Sequence, residues 1–164
     1  MKNIREVKKT GGMAYEVSIN DKVIQEVFIK RESKREKDFT YFLLFNSEGE
    51  VISDVFWYLN IYLRSSTLNS RDQATSALKC LYSFLELKQK GIQELQKEDI
   101  KNLSDFVLGF SVDRITERYE SERSRTISTH NLYFDAFRKY IKAIGIKNDH
   151  LFKTTTVKIE QAIW

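Results

Sequence analysis

The sequence predicts an α+β fold: a three-stranded antiparallel β-meander over residues 1–50, then a bundle of four to five helices over residues 51–152. Two observations carry this. Apolar and polar residues alternate with period two in segments of the first 45 residues, and from Ser53 the apolar spacing becomes that of a helix. Two of the helical segments also open on hydroxyl residues and close near a glycine.

Residues 13–19 alternate strictly and read as the first strand. Asn20 and Asp21 supply turn chemistry, and residues 23–30 form the second strand, with Val27 and Ile29 on one face. Residues 31–38 are charged throughout. Acids interleave with the bases there, so the run reads as a solvated connection rather than a phosphate contact. Phe39, Tyr41, Leu43 and Phe45 mark the third strand, and residues 46–49 a turn.

The first helix starts at a Ser53 or Asp54 cap and carries Phe56, Trp57, Leu59, Tyr62 and Leu63 as its stripe. The second opens on a capping box, Ser70 with Gln73, and buries Ala74, Ala77, Leu78, Leu81, Phe84 and Leu85. Gly91 ends it, and Ile92 and Leu95 anchor the connection. The third carries Ile100, Leu103, Phe106 and Val107 and stops near Gly109. Residues 111–124 read as a loop. The fourth starts at Thr126, buries Ile127, Phe134, Phe137, Ile141 and Ile144, and stops at Gly145. Residues 153–164 give no clear element.

The net charge of +4 is small, but its distribution is uneven. Residues 51–100 carry equal numbers of basic and acidic side chains. Residues 122–147 carry six basic against two acidic ones, which is the local surplus a nucleic-acid footprint needs. Cys80 is the only cysteine, so an internal disulfide is excluded. The start of the chain is too polar for a signal peptide, and no apolar run is long enough to span a membrane. The expected location is cytoplasmic.

At about 100° per residue, Asp72, Thr75, Ser76, Lys79, Ser83 and Lys90 fall opposite the apolar side of the second helix. In the fourth helix Ser128, Asn131, Asp135, Arg138, Lys139 and Lys142 fall away from the core. Short hydroxyl and amide side chains allow close approach to a surface, and cations among them can bond phosphates or base edges. Arg123 and Arg125 precede the fourth helix, whose free N–H groups at Thr126 favour an anion. The expected DNA contacts are Arg71, Thr75, Ser76, Lys79, Ser83, Arg123, Arg125, Thr126, Ser128, Asn131, Arg138 and Lys142.

Enzyme chemistry is not legible. The two histidines stand apart, His130 on the apolar side of the fourth helix and His150 beyond it, and no metal-ligand or phosphate-loop spacing occurs. Glu117, Glu120 and Glu122 form an acidic patch in the loop, with nothing to make them a catalytic pair. No cofactor, metal or catalytic residue is expected.

Four segments follow one another in a set order: Asp-Val-Phe-Trp-Tyr-Leu-Asn-Ile-Tyr-Leu at 54–63, Ala-Thr-Ser-Ala-Leu-Lys-Cys-Leu-Tyr-Ser-Phe-Leu at 74–85, Gly-Ile-Gln-Glu-Leu-Gln-Lys-Glu-Asp-Ile at 91–100, and Thr-Ile-Ser-Thr-His-Asn-Leu-Tyr-Phe-Asp-Ala-Phe-Arg-Lys-Tyr-Ile at 126–141. Their order and spacing resemble the core-binding domain of tyrosine recombinases, the phage integrase and transposon recombinase family, over residues 51–152. Phe-Leu-Leu-Phe-Asn-Ser-Glu-Gly-Glu-Val-Ile-Ser-Asp-Val at 42–55 resembles the strand that leads into this domain in transposon-type members. The resemblance implies a bundle like the sterile-alpha-motif fold, forming half of a clamp whose second and fourth helices lie on double-stranded DNA, with Lys79 at a family cation position. It also implies other recombinase protomers as partners in a synaptic complex. The family's catalytic domain, with its His-x-x-Arg box and nucleophilic tyrosine, has no counterpart here, since His130 is followed by Asn-Leu-Tyr. Residues 153–164 fall where a linker to that domain would begin. The competing readings are a helical protein-interaction module that shares only the fold, and a small enzyme.

Overall fold

A computed structural model describes residues 2–110, 117–121 and 125–153. The chain is α+β, and its β half is larger than the alternation suggests. Five strands precede the helices: β1 (Lys2–Lys9), β2 (Gly12–Ile19), β3 (Lys22–Val27), β4 (Lys30–Glu36) and β5 (Phe39–Phe45). A sixth, β6 (Glu117–Glu120), comes late in the chain and pairs in parallel with β1. The sheets are a four-stranded β3-β2-β1-β6 and a two-stranded β4-β5 ribbon. This replaces the expected three-stranded meander.

Residues 31–38 were expected to be a solvated connection, but most of them form β4. This strand has no apolar face to leave a period-two signal. It is held by backbone pairing to β5, from Lys30 opposite Phe45 to Glu36 opposite Phe39. Part of the loop expected at 111–124 is likewise β6, where Glu117 is buried and ion-pairs with Lys2 at 3.1 Å, so the acidic patch does not stand free in a loop. Asn20 and Asp21 do turn the β2–β3 hairpin. Both take positive φ, 52° and 64°, as a tight two-residue hairpin turn requires.

The helices are α1 (Ser53–Trp57), α2 (Leu68–Lys88), α3 (Lys97–Val107) and α4 (Ile127–Ala143). α1 has no side-chain cap, and its buried residue is Val55. It runs into a widened turn, Tyr58–Tyr62, in which Leu63 N–H bonds the Tyr58 carbonyl five residues back. That extra residue per turn rotates the stripe: Tyr58, Leu59 and Asn60 are buried, whereas Trp57, Ile61 and Tyr62 are exposed. The cap of α2 lies three residues earlier than the expected Ser70. Thr67 Oγ1 accepts from Ser70 N–H at 3.1 Å, making Thr67 the cap. Gln89, at φ 56°, and not Gly91, takes the left-handed position that closes it. α4 starts at Thr126 as expected, its Oγ1 accepting from Thr129 N–H.

α2 is the central element. Ala77, Leu78, Leu81, Phe84 and Leu85 are buried along it, and it touches β3, β4 and β5 as well as α3 and α4. Phe106 joins the halves, with its ring 5.5 Å from Tyr15 of β2, 5.7 Å from Phe84 of α2 and 6.0 Å from Tyr119 of β6. Phe134, Phe137 and Phe152 close the far end. None of the helices in the described residues is long and apolar enough to cross a membrane.

Candidate nucleic-acid interface

The β-layer against α2 changes what the outer face of that helix can do. Thr75 and Ser83 were expected to point outward, but they are 0% and 2% exposed. Their hydroxyls donate back to the helix, Thr75 to the Arg71 carbonyl at 2.7 Å and Ser83 to the Lys79 carbonyl at 2.8 Å. Arg71 is 3% exposed. Its Nε donates to the Leu59 carbonyl at 2.8 Å and its Nη2 to the Thr40 carbonyl and Asn60 Oδ1, while its guanidinium lies 4.2 Å from the Phe39 ring centre. Arg71, Thr75 and Ser83 are therefore structural, and their assignment as DNA contacts is corrected. A helix wheel drawn from sequence finds the side opposite the strongest stripe, and cannot tell that a second layer covers it.

Ser76 and Lys79 remain half-exposed, and they meet residues from other elements. A cleft of about 200 Å³ opens between the β1–β2 turn, α2 and the start of α4, with Ser76, Lys79 and Arg125 on its walls. Lys79 Nζ donates to the Met13 carbonyl at 3.3 Å. Arg125 Nη1 donates to the Val107 carbonyl at 3.0 Å, and its guanidinium sits 5.2 Å from the Tyr133 ring. Burial works against the Arg125 charge, but Cys80, Tyr133 and Tyr15 around it outweigh that and hold its pKa above the ordinary value.

The third cation in the cleft is Arg31 of β4, which sequence reasoning missed. Its Nη1 donates to Ser76 Oγ at 2.8 Å and its Nη2 pairs with Asp72. It lies in the charged run 31–38, where alternating acids hid it. Only the β4–β5 pairing carries it onto α2. No aspartate or glutamate lines the cleft among the described residues.

Ser76 and Tyr133 also line a second groove, of about 570 Å³, between the first turns of α2 and the outer side of α4. Ser70, Gln73 and Thr129 supply polar groups there, Lys139 stands at its α4 wall, and Asp72 and Asp135 also line it. The α4 residues expected to face outward divide. Ser128 and Lys142 are exposed. Arg138 and Lys139 share Asp135, Lys139 at 2.9 Å. Asn131 is half-buried against His130, with 3.2 Å between their side chains. Thr126 is exposed but committed to its cap. Arg123 lies outside the described residues, as do Glu122 and all but the first residue of the linker expected over 153–164.

His130 is buried, stacked on Phe134 at 4.3 Å and 2.7 Å from Ser104 Oγ. His150 is exposed at the other end of the helix. No group of three or more potential metal ligands occurs among the described residues. Comparison with protein families, characterised proteins and solved structures finds no match for the chain.

Proposed function

We propose that the chain is a DNA-binding module, engaging the phosphate backbone of duplex DNA through the α2–α4 side of its helical half. One observation carries the reading: Lys79 of α2 and Arg125 ahead of α4 line a single cleft with Arg31, whose own partner is Asp72, and no carboxylate is among the described residues that line it. The groove beside it, lined by Asp72 and Asp135 as well as Lys139, adds no cationic surplus, and Lys142 is exposed further along α4. Cations drawn from separate elements onto one side of a domain form the electrostatic footprint of a polyanion site.

The finer proposal is the core-binding module of a tyrosine recombinase, a helical half of sterile-alpha-motif type clamping a recombination site. The order of the segments at 54–63, 74–85, 91–100 and 126–141 supports it, as does the pairing of α2 with α4 around one surface. Catalysis would then belong to another domain of the intact recombinase, and other protomers would be its partners. In this reading the contacts are Ser76, Lys79, Arg125, Ser128 and Lys142, with Asn131 and Arg138 at the edge.

Fluorescence anisotropy of a labelled duplex across a salt series tests the proposal. Replacing exposed Lys142 by Ala should lower the slope of log K against log salt by about one unit. An unchanged slope removes α4 from the interface. A protein-interaction module is the second reading, favoured by exposed Trp57, Ile61 and Tyr62, with the Trp57 and Tyr62 rings 5.3 Å apart. Absence of duplex binding even at low salt would favour it.

A further inference from the structure

We infer that the cleft between the β1–β2 turn, α2 and Arg125 is a seat for one phosphate group, in which Arg31 of β4 is a third arm held aside by Asp72. The inference rests on the DNA reading only for its natural occupant, a backbone phosphodiester. The chemistry it needs is that of any tetrahedral phosphate.

Four features argue for a built site. The three cations come from three separate elements, so their convergence is a product of the fold and not of a basic run. Among the described residues that line the cleft there is no carboxylate. The volume, about 200 Å³, compares with roughly 30 Å³ for one water in the liquid, so a phosphate fits with a few waters. Hydroxyls stand beside the cations. Ser76 Oγ accepts from Arg31 and keeps its own hydrogen to donate, and Tyr133 also lines the cleft, its ring 5.2 Å from the Arg125 guanidinium.

The β1–β2 turn fits closely over this site. Gly12 has φ 133°, and a Cβ there would lie 2.7 Å from Lys79 Cε and Nζ. The positive φ is what calls for a glycine here, and the absent Cβ leaves room for the flexible end of Lys79. Arg31 N–H also reaches the Gly11 carbonyl, at 3.4 Å, which ties β4 to the same turn.

Asp72 is the competitor. It pairs with Arg31 while Ser76 holds the other guanidinium nitrogen. Arg carries five N–H donors in a planar fork, so it can swing its Asp72 side to a phosphate and keep Ser76. Removing the Asp72 charge should therefore tighten phosphate binding, and removing Arg31 should weaken it.

The test is an amide NMR titration of the whole chain with inorganic phosphate, exchanged against chloride at constant ionic strength. The seat predicts saturable shifts centred on Gly11, Gly12, Ser76 and Arg125. It also predicts about tenfold weaker binding in Lys79→Met and in Arg31→Gln, and tighter binding in Asp72→Asn. Exposed Lys101→Met on α3 should leave affinity unchanged. Non-saturating shifts spread over the surface, or weaker binding in Asp72→Asn, would overturn it. If Lys79→Met does not fold, Arg31→Gln and Asp72→Asn carry the same comparison. The same variants against a labelled duplex separate the two claims. Saturable phosphate binding without duplex binding keeps the seat and rejects the DNA reading. Duplex binding that ignores Arg31→Gln, with no saturable phosphate binding, keeps the DNA reading and rejects the seat.

Discussion

Arg71 Nη2 donates to Asn60 Oδ1 at 2.9 Å, deep between β5 and the widened turn after α1. Asn60 is fully buried and bonds in four directions. Its Oδ1 also accepts from Phe42 N–H, and its Nδ2 donates to the carbonyls of Phe42 and Phe56. One amide side chain thus pairs a strand like an extra ladder rung and neutralises a buried guanidinium edge. Asn60→Leu should destabilise the fold by about 2–4 kcal/mol, because it leaves the Phe42 backbone groups unpaired and removes one of the hydrogen bonds of the buried Arg71 guanidinium. Urea denaturation measures it. A loss below about 1 kcal/mol would mean that the pair is not the tie between the halves.

Gly12 makes a prediction in which stability and binding separate. Gly12→Ala places a Cβ at a left-handed φ of 133°, a strain of about 1–3 kcal/mol that does not depend on Lys79. The clash itself is with the flexible end of Lys79, which can move away. The stability cost should therefore be nearly the same with Lys79 or with Lys79→Ala. Duplex affinity should fall on Gly12→Ala only when Lys79 is present, read by anisotropy. Equal losses of affinity in both backgrounds would contradict the close approach of the turn to Lys79.

His130 sets a pH dependence. Burial holds its pKa below the ordinary 6.5, against weaker upward pulls from Asn131 and Asp105. With the folded pKa below the unfolded one, the unfolded chain takes up the proton more readily. The contribution to stability is then fully present above about pH 6.5, and it is lost as pH falls through the lower folded value. One such proton changes stability by at most about 1.4 kcal/mol per pH unit. Between pH 7.5 and 5.5 the urea midpoint of the wild type should fall more than that of His130→Gln. Parallel falls would show that His130 does not titrate differently on folding.

The sequence was readable where burial leaves a period. The apolar stripes of α2 and α4 mark the core directly, whereas in Phe39–Phe45 the buried side chains are Phe42 and Leu44, opposite the face that Phe39, Tyr41, Leu43 and Phe45 mark. β1 and β4 were not readable. β1 buries only Ile4, and β4 buries none of its side chains, so their pairing is a backbone property that side-chain patterns do not record. The candidate site was legible in part for the same reason. Lys79 stands on α2 and Arg125 just ahead of α4, both helices that periodicity found. Arg31 stands on a strand it could not find, and Arg71, Thr75 and Ser83 lie under a layer that the helix wheel could not foresee.

The central claim is that this surface binds duplex DNA through its phosphates. The direct measurement is anisotropy of a labelled duplex titrated with the chain at low salt and then through rising salt. The account predicts saturable binding at low salt, with log K falling linearly against log salt at a slope set by the phosphates neutralised. Lys79→Ala and Arg125→Ala should each reduce that slope by about one unit. No binding at low salt, where even sequence-independent contacts hold, would contradict it.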